Sequence, residues 1–283
     1  MTDTTTRPWT ELAATPDLRL VVLDMDGTLL REDGTVPEAF WDLLPVMQQR
    51  DIVVVPASGR QYATLHDMFG DRGIRTYLAE NGTVVVHDGE VVATSPLSGD
   101  TVQQCIAAVR GTDRRLGLVV CTPEVAYVES TDREFLDEAA KYYHSLKQVE
   151  DLTTVQGPVV KVAVFAFGSA EDAAPVLFTG EGALASQVEA DNAVVISGAN
   201  WIDIMLPEAN KGSALHDLQE ELGISRADTA VFGDYLNDLE MVGEGDLSFA
   251  MANAHPGITA AANYVAPANT EDGVVQVLRR LLG

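Results

Sequence analysis

Short apolar runs recur along the chain, each closed by turn chemistry and followed by residues at helical spacing. Leu20, Val21, Val22 and Leu23 form the first run, and such a run bounded by polar residues predicts a strand buried on both faces of a parallel sheet. Pro37 suits the first turn of a helix over 37–50, with Phe40, Leu43, Leu44 and Met47 along one side. A second buried strand is expected over 52–55, a helix over 61–69, and a third strand at Tyr77-Leu78-Ala79. Strand alternating with helix is the grammar of a doubly wound parallel sheet.

The pattern then changes. Val84-Val85-Val86 and Val91-Val92-Ala93 flank an Asp88-Gly89 pair, which predicts a hairpin. Asp100 is placed to cap a helix through Arg110. Strands are expected over 116–121 and 125–129, and Thr131 with Glu134 makes a capping-box pattern before a helix to about Leu146. A strong β run over 159–167 follows, 171–190 reads as partly helical, and 194–196 with 201–205 reads as another hairpin. Hairpins and helices of this kind, set inside a parallel α/β pattern, predict a separate α+β module over 85–206. From Asn210 the first pattern returns. Helices are expected over 211–222, 236–242 and 270–282 and a short one from Pro256, with strands over 229–232, 248–251 and 264–265. The expected organisation is therefore a polar tail over 1–17, an α/β core of Rossmann-like doubly wound type from 18–84 and 207–283, and the inserted α+β cap.

Composition narrows the partners. Acids outnumber bases 43 to 18 among 283 residues, a formal net charge of −25. Such a field repels nucleic acid and anionic membrane, and an anionic substrate would need compensation from a metal or a few placed cations. No apolar stretch approaches the ~18 residues of a membrane span. The first sixteen residues lack the basic and apolar regions of a secretory signal, and Cys105 and Cys121 make no framework, so a reduced cytoplasm is the expected compartment.

Candidate chemistry gathers at strand ends. Asp24 and Asp26 close the first strand, and at i, i+2 spacing they point into one site if the chain stays extended. Gly27 permits a sharp exit. Ser58 ends the second strand, Lys211 opens the helix after the insert, and Asp234, Asn237 and Asp238 follow a later strand. In open α/β sheets the carboxyl ends of strands bind ligands. Asp24, Asp26 and Asp234 offer hard oxygen ligands that suit Mg²⁺. Ser58, the backbone amides after Asp24 and the Lys211 ammonium are groups that bind phosphoryl oxygens. Other features carry less. The five histidines show no ligand spacing, Gly180-Glu181-Gly182-Ala183-Leu184-Ala185 has no convincing strand before it, and Trp201 reads as a core residue of the insert rather than a substrate platform.

The whole set resembles the haloacid dehalogenase-like hydrolase superfamily. Asp24-Met25-Asp26-Gly27-Thr28 matches its first motif, Ser58-Gly59-Arg60 its second, Lys211-Gly212 its third, and Gly233-Asp234-Tyr235-Leu236-Asn237-Asp238 its fourth. The insert falls between the second and third motifs, where Cof-type phosphatases carry their α+β cap. Glu80-Asn81-Gly82, Asn253-Ala254 and Glu271-Asp272-Gly273-Val274 are also similar to that type. Tyr235 departs from the pattern, being bulky where a small residue often stands.

The resemblance implies a Mg²⁺-dependent phosphomonoesterase acting on a small phosphate ester such as a sugar phosphate, a phosphorylated flavin precursor or pyridoxal phosphate. It implies that Asp24 is the nucleophile, forms an aspartyl-phosphate and binds the metal. Asp26 would serve as general acid and base and ligate the metal through its backbone carbonyl. Ser58, Gly59, Lys211 and Asn237 would hold the phosphoryl group, with Lys211 also orienting Asp24. Asp234 would be a direct metal ligand, while Asp238 would act through water or by fixing Lys211. Ion pumps of the superfamily carry Thr in place of Asp26, and dehalogenases lack this acid. Two other readings stay open: a phosphotransferase or phosphomutase using the same phosphoenzyme, and a non-catalytic phospholigand-binding protein. Oligomeric state is not legible.

Overall fold

All five residues of the Leu20–Asp24 strand are buried, and the strand pairs in parallel on both sides, with Val53–Ala57 and with Thr229–Gly233. The computed structural model describes residues 6–12, 17–197 and 199–283. From Leu20–Asp24 the sheet grows outward in two directions. Tyr77–Ala79 follows Val53–Ala57 on one side, while Leu247–Met251 and Tyr264–Ala266 follow Thr229–Gly233 on the other. All these pairings are parallel, as the unbroken apolar runs predict. The strand order reverses at Leu20–Asp24, so its carboxyl end opens on the crevice where such sheets bind ligands. The fold class is the expected Rossmann-like α/β core. Val84–His87 adds an antiparallel strand to Tyr77–Ala79, and the Asp88-Gly89 turn has both residues left-handed, at φ 52° and 82°.

The chain separates into two units. The first comprises Met1–Ser58, Ile74–Gly89 and Asn210–Gly283; the second comprises Gly59–Gly73 and Glu90–Ala209. This differs from the expected insert over 85–206. Val84–His87 stays with the first unit because it pairs with Tyr77–Ala79. Gly59–Gly73 goes with the second because its side chains are bonded to 142–145: Gln61 to Ser145, Thr64 to Tyr142 and Asp67 to His144.

The expected polar tail is also corrected in part. Arg7–Pro8 pairs in parallel with Tyr264–Val265, and the Arg7 guanidinium stacks over the Tyr264 ring at 4.5 Å. Trp9–Glu11 forms a helical turn. The rest of the expected tail, at 1–5 and 13–16, lies outside the described residues.

The second unit is built on a six-stranded, mostly antiparallel sheet. Lys161–Ala166 lies inside it, between Leu116–Cys121 and Trp201–Met205. Val162, Val164, Ile202 and Ile204 face an apolar core shared with Val102 and Ile106 of the Gly99–Arg110 helix. Local caps decide where helices begin. Ser98, not Asp100, caps that helix by accepting the Thr101 N–H. Asp132 rather than Thr131 caps the next, which covers only Arg133–Ala139 instead of reaching Leu146. Leu146–Gln148 is instead a strand parallel to Ala126–Val128. Between them Tyr142 and Tyr143 turn edge-on to Trp201, which is 9% exposed and part of this aromatic core. Both cysteines are buried, and burial pushes the Cys105 thiol up to about 12. Among the described residues no helix is long and apolar enough to cross a membrane.

Candidate active site

The first strand ends at Asp24, where the chain turns away through Met25–Leu29. The turn depends on Gly27, at φ 82°, where a Cβ would lie 2.2 Å from Asp234 Oδ2. Any side chain there would both strain the backbone and displace Asp234. Extended geometry stops before Asp26, so strand alternation does not set the direction of its side chain. Asp24 is 6% exposed, whereas the Asp26 side chain is exposed. Asp26 still lies close enough to Asp234 to raise that carboxylate's pKa.

Lys211 is the centre of the site's hydrogen bonding. It opens the Lys211–Leu222 helix, whose N-cap Asn210 accepts from the Gly212 and Ser213 N–H groups. A cation at a helix start is mildly unfavourable to the dipole, and two carboxylates offset this. The fully buried Nζ donates to Asp24 Oδ1 at 2.6 Å and to Asp238 Oδ1 at 2.6 Å. Asp238 Oδ2 accepts the Asp234 N–H at 3.0 Å and the Tyr235 N–H at 3.3 Å. Both Asp238 oxygens are thus engaged in holding Lys211 and the loop after Thr229–Gly233.

Ser58 is buried at the end of Val53–Ala57, where its N–H donates to Leu78 O and its carbonyl accepts from Asn81, both at 2.9 Å. The half-buried Asn237 donates from Nδ2 to Asn81 Oδ1 at 3.4 Å. Gly59, expected beside Ser58 at the phosphate, falls in the second unit, and its carbonyl accepts from Lys161 Nζ at 3.0 Å.

Two residues that order the site were not singled out for that task from sequence. Asn253 donates to the Gly27 carbonyl at 2.8 Å and accepts the Asn269 N–H at 3.1 Å. Asn269 in turn donates to the Leu30 carbonyl at 2.9 Å. The Met25–Leu29 turn is therefore stapled by residues more than 220 positions away. Only Asn253, within Asn253-Ala254, carried a sequence signal.

Among the described residues, Asp24, Asp234 and Asp238 form the one acidic group able to hold a metal, each offering a ligand oxygen within 4.8 Å of the others. The electrostatics fit a hard divalent cation. Burial, then repulsion from Asp238 and Asp234, pushes the Asp24 carboxyl well above its usual range, although Lys211 opposes this. Burial and Asp238 likewise raise Asp234 to about 6, against Lys211 and Thr28. Burial also disfavours the Lys211 ammonium, but Asp238 and Asp24 outweigh it and its pKa is raised. One ammonium against three carboxylates leaves the site short of positive charge.

A pH dependence follows. Asp234 binds a proton more tightly folded than unfolded, so its contribution to stability is complete below its ordinary 3.8 and is lost as pH rises through about 6. Asp24 adds in the same direction. The surface carboxylates lowered by arginine, such as Asp151 at about 2, act only in more acidic solution. Metal-free protein should therefore melt lower at pH 7 than at pH 5, and saturating Mg²⁺ should raise the pH 7 melting temperature more than the pH 5 one. Thermal melts of the wild type and Asp234→Asn check this. An unchanged pH 5 to 7 difference in the variant would contradict the assignment.

The fold agrees with the comparisons. Residues 21–278 match the haloacid dehalogenase-like hydrolase family. The chain belongs to that family and is an enzyme of it. It is 31% identical over 268 residues to the 5-amino-6-(5-phospho-D-ribitylamino)uracil phosphatase YbjI of Escherichia coli (strain K12), covering 94% of this chain and 96% of the relative. It is 27% identical over 245 residues to an HMP-PP phosphatase of Escherichia fergusonii, covering 86% and 87%. Among solved structures, a haloacid dehalogenase-like hydrolase from Bacteroides thetaiotaomicron shares the fold with a TM-score of 0.82 at 24% identity, over 93% of this chain and 99% of the other.

Proposed function

We propose that the protein is a Mg²⁺-dependent phosphomonoesterase that hydrolyses a small phosphorylated metabolite through an aspartyl-phosphate on Asp24. The observation that carries this reading is the buried Asp24 carboxylate, held at one oxygen by Lys211 at 2.6 Å beside an acidic group short of positive charge. A nucleophile fixed at one oxygen presents the other in a defined direction.

Asp24 attacks phosphorus, and the bond to the leaving oxygen breaks as that oxygen takes a proton from Asp26. Water then attacks the aspartyl-phosphate, giving its proton to Asp26 and releasing inorganic phosphate and free Asp24. The solvent exposure of Asp26 supports its part, since it must exchange protons with both the leaving group and water. Ser58, Lys211 and Asn237 bind the non-bridging oxygens, with the Gly59 amide beside them. Asp24, Asp234 and the Asp26 main-chain carbonyl would hold Mg²⁺, with Asp238 acting indirectly. Bound there, the ion would screen the repulsion between Asp24 and the phosphate dianion.

The relatives' names point to small phosphorylated metabolites, one of them a uracil that bears a phosphoribitylamino group, and we assign this chain the same broad class. A panel of ribose 5-phosphate, pyridoxal phosphate, a flavin mononucleotide and p-nitrophenyl phosphate tests it. Phosphate release with Mg²⁺, lost on chelation and restored by adding the ion back, is expected. Metal-independent release, or none from any ester, would overturn the reading.

A further inference from the structure

We propose that Asn81 is a positioning residue that holds the Asn237 side chain in register with Ser58, so that these two phosphate-binding groups keep a fixed relation. This rests on the phosphate-site reading above. All the residues involved belong to the first unit.

Glu80, Asn81 and Gly82 follow one another in the left-handed region, at φ 51°, 58° and 91°. Glycine adopts that region freely, asparagine tolerates it better than most residues, and glutamate does so at a cost. Backbone of this kind persists where its surroundings over-determine it, and it gathers at functional sites. Here the surroundings are explicit. The Thr83 N–H and hydroxyl both donate to the Glu80 carbonyl, at 3.3 and 2.9 Å. At Gly82 a Cβ would lie 2.4 Å from the Asn210 carbonyl oxygen and 2.9 Å from the Lys211 nitrogen. The turn therefore lies directly against the peptide that opens the Lys211–Leu222 helix, and no side chain fits between them.

Asn81, buried at the middle of this turn, acts in two directions. Its N–H donates to the Ser58 carbonyl at 2.9 Å, and its Oδ1 accepts from Asn237 Nδ2 at 3.4 Å. A carboxamide nitrogen carries two hydrogens. With one committed to Asn81, the plane of the Asn237 amide is set and its second hydrogen keeps one direction. Without that partner the half-buried Asn237 side chain turns about its own torsions, and a phosphoryl oxygen would first have to order it. The two tasks are separable. The bond to Ser58 uses the main chain and survives any substitution that keeps the left-handed backbone. The bond to Asn237 uses the carboxamide alone. Asparagine at residue 81 answers both demands, since it accepts the conformation and carries the acceptor.

The test uses full-length protein with Mg²⁺ and inorganic phosphate, read by titration calorimetry. Asn81→Gly keeps the left-handed backbone, and with it the Ser58 bond, but removes the carboxamide. It should weaken phosphate binding about fivefold, and Asn237→Ala about tenfold. Added to Asn237→Ala, Asn81→Gly should cost less than about twofold, because the side chain it acts through is already gone. Added to Ser58→Ala it should still cost about fivefold. If Asn81→Gly does not fold, Asn81→Ser takes its place, its hydroxyl being too short to reach Asn237, with the same expected pattern. Wild-type affinity in the single variant would overturn the proposal. So would an undiminished fivefold loss on top of Asn237→Ala, which would show a general loosening of the site, or a loss that disappears on top of Ser58→Ala, which would route the effect through Ser58 instead. Wild-type protein that binds no phosphate would overturn both this inference and the phosphatase reading. Protein that binds phosphate with the expected pattern yet hydrolyses no ester would overturn the phosphatase reading alone.

Discussion

Asp24→Asn is expected to lower kcat with any accepted phosphate ester by about four orders of magnitude or more, as removal of a nucleophile does. The same change should not lower stability. Asp24 is buried, and Asp238 and Asp234 already push its carboxyl toward the protonated form. The amide removes that repulsion, while Lys211 keeps its 2.6 Å bond to Asp238. In metal-free protein at pH 7 the melting temperature should therefore equal or exceed that of the wild type. Activity and stability thus move independently, which separates loss of chemistry from loss of fold. Retained turnover would remove Asp24 from the nucleophile's place.

Lys211→Met should behave in the opposite way. It also abolishes turnover, but it takes the ammonium from between Asp24 and Asp238, the latter fully buried. Breaking a buried pair by removing one partner typically costs about 3–5 kcal/mol. We expect a loss of that size in chemical denaturation of metal-free protein at pH 7, and a smaller loss at pH 5, where the raised carboxyls take up protons. Adding Asp24→Asn to Lys211→Met should return part of the lost stability, because one of the two facing charges is then gone. A Lys211→Met protein as stable as the wild type would mean that the ammonium does not hold these carboxylates together.

The parallel core was legible because its strands are buried on both faces and so read as unbroken apolar runs; Leu20–Asp24 and Thr229–Gly233 are clear cases. The site was legible because its residues sit where those runs end. Less legible was whatever depends on contacts far apart in the chain. The division of the chain turns on Gln61, Thr64 and Asp67 bonding to 142–145, and no local pattern announces that. The helix expected to reach Leu146 stops at Ala139 because Leu146–Gln148 finds a strand partner at Ala126–Val128. Arg7–Pro8 is ordered by Tyr264–Val265, so its polar composition misled. Within the site, spacing alone placed Asp26 beside Asp24, whereas the strand ends at Asp24 and the turn through Met25 interrupts the extended geometry on which that spacing depends. Asp238 is tied to Lys211 by a contact across 27 positions.

The most direct test is whether a phosphoryl group becomes covalently bound to Asp24 during turnover. Protein mixed with substrate and Mg²⁺, quenched in acid, and reduced with borohydride would convert an aspartyl-phosphate to homoserine, located by peptide mass. We expect the label at residue 24 in the wild type, more of it in Asp26→Asn, which lacks the base that activates water, and none in Asp24→Asn. Phosphate release with no adduct at residue 24, or an adduct at another residue, would contradict the mechanism.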